Sequence, residues 1–274
     1  MPGSLAAPTP YPHVIVATDG SALAGTALIG GSLLAARTSA ELHVFHASSD
    51  PRSERLAVSQ AAELLRGRPY KMEVKDLVTG LGSPSTMIAE YTNQLGDESI
   101  VAIGTHGRGG IGVSVLGSTA VELLARRNQT TLAYGPGARP PLDIERVVVC
   151  VDGSQFSEAS VPEGARWAAA LDVPIWVIQV VPAYVSSYVR TFESSYVRNV
   201  ARTLEGLPKG VQWDVLHSTS PARSILDLYG NDGATMLIMA THGLIGLRRV
   251  LVGSISSDVV KDAWGPVVMV RPAD

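Results

Sequence analysis

The sequence predicts an α/β fold built from two tandem domains, each an open parallel sheet covered by helices on both faces. Three observations carry this. A chain of 274 residues is long enough to bury two cores. Short apolar runs alternate with helix-like segments throughout, as in a parallel sheet joined by crossover helices. The landmarks also recur: His13-Val14-Ile15-Val16-Ala17-Thr18-Asp19-Gly20-Ser21 opens one half, and Arg146-Val147-Val148-Val149-Cys150-Val151-Asp152-Gly153-Ser154 opens the other.

In the first half, 14–18 reads as a strand, and Ser21 N-caps a helix running to about Arg37. A strand at 42–46, a helix at 54–66 and a strand at 72–78 follow. Pro84 opens a helix at its favoured N-terminal position, ending near Gly96. Residues 99–104 form the fourth strand, 118–127 a helix, and 130–134 the closing strand. The second half repeats this with strands near 146–151, 174–180, 211–216, 236–240 and 266–270. Residues 1–11 read as a flexible N-terminus, 12–135 and 145–274 as the domains, and the Pro/Gly-rich 136–144 as the linker. The stretch from Pro182 to Arg198, with Tyr184, Tyr188, Phe192 and Tyr196, has no equal in the first half. It reads as a partly buried helix, with a lid or partner surface as the alternatives. The apolar last strand, Val267 to Val270, must be paired or covered, so the halves are expected to pack as a pseudo-dimer.

A net charge of −3 with no basic stripe argues against nucleic acid as a partner. No apolar stretch approaches the ~20 residues of a membrane span. The first twelve residues lack the features of a signal peptide, and Cys150 is the single cysteine. A cytoplasmic protein is the expectation. Cys150 lies in an apolar run, so it reads as a buried strand residue rather than a reactive thiol.

The most informative motif occurs twice. Gly104-Thr105-His106-Gly107, nine residues and Gly117-Ser118 follow the fourth strand of the first half. Ala240-Thr241-His242-Gly243, nine residues and Gly253-Ser254 follow that of the second. A glycine loop between a strand and a helix start brings backbone N–H groups and the helix dipole to one place, which suits an anion. In a sheet of order 3-2-1-4-5 the first and fourth strands are neighbours, so Asp19 and this loop flank one crevice. Helix capping is the plainer role for Asp19 and Asp152. Gly107-Arg108-Gly109-Gly110-Ile111-Gly112 fits the dinucleotide fingerprint, but it follows the wrong strand, lacks the downstream acid, and is lost in the second half. No P-loop motif is present.

Strand-Asp-Gly-Ser followed by Gly-x-x-Gly, nine residues and Gly-Ser after strand four resembles the universal stress protein family, and the whole chain resembles its tandem form. The resemblance spans about residues 12–135 and 145–272. It implies two Rossmann-like, adenine nucleotide hydrolase-like domains with five-stranded parallel sheets of order 3-2-1-4-5 flanked by helices. In the ATP-binding branch it also implies an adenine nucleotide in the crevice, with Mg2+ admissible beside it. Carried over by position, Ala17 and Asp19 face the adenosine and Ala47 the base. Ile103, Gly104 and Gly107 line the ribose and phosphate side with Arg108 in the loop, and Gly117, Ser118 and Thr119 hold phosphates. The counterparts are Cys150, Asp152, Val180, Met239, Ala240, Gly243, Gly253, Ser254, Ile255 and Ser256. Ala240 replaces a glycine, and Leu244-Ile245 replace polar loop residues, with Arg248 and Arg249 as the remaining cations. The second site is therefore expected to bind nucleotide more weakly.

Neither loop, 104–121 or 240–257, contains an Asp or Glu, which argues for holding nucleotide rather than cleaving it. No catalytic residue is assigned, and His106 and His242 read as structural. His43 and His46, three apart on a strand, point to opposite faces and form no metal pair. The leading reading is an ATP-binding stress or regulatory protein, homodimeric and acting on an unidentified regulatory protein partner. The alternatives are a slow ATP hydrolase or adenylate-handling enzyme, and an interaction protein without nucleotide.

Overall fold

The structure, a computed structural model, describes residues 10–77, 82–96, 98–105, 116–124, 130–139, 142–183, 187–241 and 253–271. The first half runs β1 (His13–Ala17), α1 (Ala22–Thr38), β2 (Glu41–Ser48), α2 (Pro51–Leu64), β3 (Lys71–Asp76), α3 (Pro84–Leu95), β4 (Ser99–Gly104), α4 (Ser118–Leu124) and β5 (Thr131–Tyr134). The second runs β6 (Arg146–Val151), α5 (Gln155–Glu158), α6 (Ser160–Leu171), β7 (Ile175–Val181), α7 (Ser187–Arg202), β8 (Val211–His217), α8 (Pro221–Ile225), β9 (Thr235–Ala240), α9 (Ser254–Asp262) and β10 (Val267–Val270). A π-helical turn, Leu226–Gly230, continues α8.

The ten strands form one sheet in the order β3-β2-β1-β4-β5-β10-β9-β6-β7-β8. Within each half all pairs are parallel and the order is 3-2-1-4-5. The halves join where β10 pairs antiparallel with β5, Val267 opposite Ala133 and Met269 opposite Thr131. The last-strand edge is thus covered inside the chain, and among the described residues β3 and β8 are the outer strands of the sheet.

Central strands carry near-continuous apolar runs because both their faces are buried. Alternation then divides the side chains. Val14, Val16, Val147 and Val149 pack beneath Leu28 of α1, Ala61 of α2, Trp167 of α6 and Val197 of α7. Ile15, Val101, Val148 and Leu237 face Ile88 of α3, Leu123 of α4, Ile225 of α8 and Val259 of α9. Each face forms a single apolar layer that runs across both halves.

Helix boundaries follow local caps. Ser21 Oγ accepts from Ala24 N at 3.2 Å, as the sequence predicts. The second helix starts at Pro51 rather than near 54, because Asp50 Oδ1 accepts from Arg52 N at 2.9 Å and Pro51 fills the first turn. The third strand ends at Asp76, short of the predicted Val78. The stretch 182–198 contributes α7, whose Val197 and Ala201 are buried against the sheet, in keeping with the helix reading; Tyr184 lies outside the described residues. The Gly/Pro segment after β5 docks on α9. Gly137 N donates to Lys261 O at 2.8 Å and Arg139 N to Trp264 O at 3.0 Å, and the Arg139 guanidinium lies 5.0 Å from the Trp264 ring centre.

Candidate functional site

Both halves leave their first strand through the same turn. Gly20 (φ 76°) and Gly153 (φ 88°) occupy the left-handed region that glycine tolerates without a Cβ clash. Asp19 Oδ1 accepts from Ser21 N, and Asp152 Oδ1 from Ser154 N, each at 2.9 Å. The serine hydroxyls then cap the following helices, Ser21 on Ala24 N and Ser154 on Ser157 N. One oxygen of each aspartate therefore closes a turn, which the capping alternative for these residues anticipates.

In the first half, Ala17 ends β1, Ala47 lies at the end of β2, and Ile103 and Gly104 end β4. Ala17 is in register with Phe45 on one side and Ile103 on the other, so these positions share the carboxyl edge of adjacent strands. Gly104 has a structural reason of its own. A Cβ there would lie 2.9 Å from the Leu23 carbonyl carbon and 3.0 Å from Ala24 N, where α1 begins. Gly117 N donates to Thr105 O at 2.6 Å, which ties the start of α4 to the end of β4. Ser118 and Thr119 form the first turn of α4. His106, Gly107, Arg108, His242, Gly243, Leu244, Ile245, Arg248 and Arg249 lie outside the described residues.

In the second half, a cavity of about 760 Å³ opens at the carboxyl ends of β6, β7 and β9. It gathers Cys150, Asp152, Val180, Met239, Ala240, Gly253, Ser254, Ile255 and Ser256, every described residue that the sequence assigns to this half's site. Its volume lies in the range usual for small-molecule sites. The walls divide by chemistry. Ile178, Val180, Met239, Pro221 and Ile225 form an apolar cleft, whereas Ser254, Ser256 and Ser257 line the start of α9. Gly253 is the N-cap of that helix and offers no side-chain acceptor to its first N–H groups. The cleft thus joins an apolar slot to a helix start that favours negative charge.

Sequence reasoning missed three kinds of lining residue. Pro221 and Ile225 belong to α8, whose contribution depends on how the segment after the third strand folds back. Ser157 enters through the turn beyond Asp152. Asp258, one residue beyond the acid-free window of the loop, adds a second carboxylate beside Asp152. Cys150 lines the cavity floor, and burial pushes its thiol up to about 12.

Fold and cleft define a doubly wound α/β protein with a crevice at the carboxyl edge of its strands, the place where such sheets bind ligands. The Universal stress protein family matches residues 10–134 and, a second time, 143–271. The chain belongs to that family, with two copies of its domain in tandem. A universal stress protein of Mycobacterium tuberculosis is 24% identical over 226 residues, covering 78% of this chain and 74% of that protein. One of Methanocaldococcus jannaschii is 26% identical over 139 residues, covering 46% of this chain and 82% of its own. A solved universal stress protein from Archaeoglobus fulgidus has the same fold, with a TM-score of 0.69 at 17% identity, covering 96% of this chain and 99% of that one. Among the described residues, no helix is long and apolar enough to cross a membrane.

Proposed function

We propose that the chain is a regulatory stress protein that binds adenine nucleotide at the carboxyl edge of each half and holds it without efficient turnover. One observation carries this reading: the apolar slot of the second-half cavity ends on the first turn of α9, where Gly253 leaves the backbone N–H groups without a side-chain cap. A planar base fits between Val180, Met239 and Ile225, and phosphates reach Ser254 to Ser256. Asp152 and Asp19 stand at the adenosine end of their sites, and Mg2+ is carried by the phosphates. The first-half site comprises Ala17, Asp19, Ala47, Ile103, Gly104, Gly107, Arg108, Gly117, Ser118 and Thr119. It is the tighter of the two, because the Ala240 methyl occupies the wall of the second cavity. Nucleotide occupancy changes the surface offered to a regulatory protein in the cytoplasm. Because the last strands pair with each other inside the chain, a homodimer uses a different surface.

The test is Gly253→Asp, at a position with φ −54° and ψ 147°, which any residue adopts. A carboxylate there caps α9 and repels phosphate, so the variant keeps or gains stability and loses ATP affinity in isothermal titration. Wild-type protein that neither titrates with ATP nor releases nucleotide on denaturation would sink the proposal. A tighter site in the second half would overturn the ranking.

A slow hydrolase is the second reading, favoured by Asp258 joining Asp152 on the cavity wall. ATP turnover that disappears in Asp258→Asn would promote it.

A further inference from the structure

At the amino-terminal end of β1 and β2, on the face covered by α3, three side chains of metal-ligating type converge. His13 Nδ1 lies 3.1 Å from His43 Nε2. Glu41 Oε2 lies 3.5 Å from His13 Nδ1 and 3.2 Å from His43 Nε2. Pairing places them: His13 is opposite Glu41 in the β1–β2 register, and His43 follows two residues later on the same face. His43 has no such relation to His46, whose Nδ1 instead meets the carbonyl of Thr18 at 2.7 Å.

We propose that His13, Glu41 and His43 form a binding site for a divalent transition-metal ion of the Zn2+ class. The spacing is that of a ligand set. A tetrahedral ion with bonds of ~2.0–2.1 Å holds its donor atoms about 3.3 Å apart, and the three separations bracket this value. Two imidazoles and one carboxylate suit borderline ions rather than Mg2+ or Ca2+. Supporting groups fix each ligand. Tyr91 Oη lies 2.8 Å from His43 Nδ1, which turns the other ring nitrogen toward the cluster. Lys71 Nζ holds Glu41 Oε1 at 2.6 Å, which leaves Oε2 facing the histidines. His43 is buried, while His13 and Glu41 reach solvent, so an ion has a way in and a fourth position open to water. At the matching positions of the second half the register puts Arg146, Pro174 and Trp176, which offer no such ligand set. The site is particular to one half and stands apart from the nucleotide reading.

The experiment is titration of the full, untagged, chelator-treated chain with Co2+ and then Zn2+, followed by absorption and calorimetry. One Co2+ binds per chain with the visible bands of a four-coordinate ion, Zn2+ displaces it, and excess Mg2+ does not. His13→Gln and Glu41→Gln, both at partly exposed positions, abolish the stoichiometric event while the far-UV circular dichroism is unchanged. Tyr91→Phe weakens binding about 10- to 100-fold, as loss of an orienting partner does. His217→Gln, at the far end of β8, binds as wild type. Absence of saturable binding, displacement by Mg2+, or binding that survives in both His13→Gln and Glu41→Gln would overturn the proposal and leave a hydrogen-bonded triad only.

Discussion

A methyl group placed on Gly104 would lie 2.9 Å from the carbonyl carbon of Leu23. The glycine that ends β4 is therefore demanded by the approach of α1, independently of any ligand. Gly104→Ala should lower stability by about 1–3 kcal/mol, the usual cost of overpacking, measured as a lower urea midpoint at unchanged slope. A midpoint equal to that of the wild type would show that the start of α1 yields without penalty. The second half carries alanine at this position, and its first helix is divided into α5 and α6.

Glu163 supplies a pH dependence. Burial is the main cause that raises its carboxyl above the ordinary range, against the lowering pull of the Tyr11 hydroxyl, Arg166 and the Trp167 indole N–H. Tyr11 Oη and Trp167 Nε1 both donate to Glu163 Oε1 at 2.8 Å. A carboxyl that keeps its proton to higher pH in the folded chain stabilises the fold most below the ordinary value of 4.5. That contribution fades as pH rises through the raised folded-state value. The gap in urea midpoint between wild type and Glu163→Gln should therefore shift in favour of the variant as pH increases from 4.5. A gap that does not change with pH would show that Glu163 titrates alike in both states.

The Cys150 thiol, pushed up to about 12 by burial, should resist a thiol-directed disulfide reagent at pH 8 in the native chain and react at once in denaturant. Rapid native labelling would mean that the cavity floor opens in solution.

Gly135 reports on the join between the halves. A Cβ there would lie 1.7 Å from the Val260 carbonyl oxygen. Gly135→Ala should cost about 3 kcal/mol, the upper part of the overpacking range, and split thermal unfolding into two calorimetric transitions. One transition at the wild-type temperature would mean that the docked segment adds nothing to the coupling.

Much of the fold was legible because its signals are local. The apolar runs gave the strands, and Ser21 and Pro84 marked helix starts through capping chemistry and a fixed φ. The need to cover the last strand pointed to halves packed together, and the structure does this by pairing β5 with β10. Boundaries slipped where a cap lay outside the apolar pattern, as at Asp50. In the second half, the described residues that the family resemblance implies all line one cavity. Pro221, Ile225 and Asp258 escaped that reading because α8 and the second turn of α9 join the cleft by tertiary packing, which no spacing encodes. The His13, Glu41 and His43 cluster escaped for a related reason. A search along one strand tests His43 against His46, whereas the true neighbour lies across the sheet, thirty positions earlier in the chain.

The antiparallel seam between Ala133 and Val267 fixes which way each half looks. Strand direction reverses at this join, so β5 and β10 end on opposite edges of the sheet. Two halves built alike therefore meet head to tail, and their repeat relation is a reversal across the seam rather than a continuation of one parallel sheet.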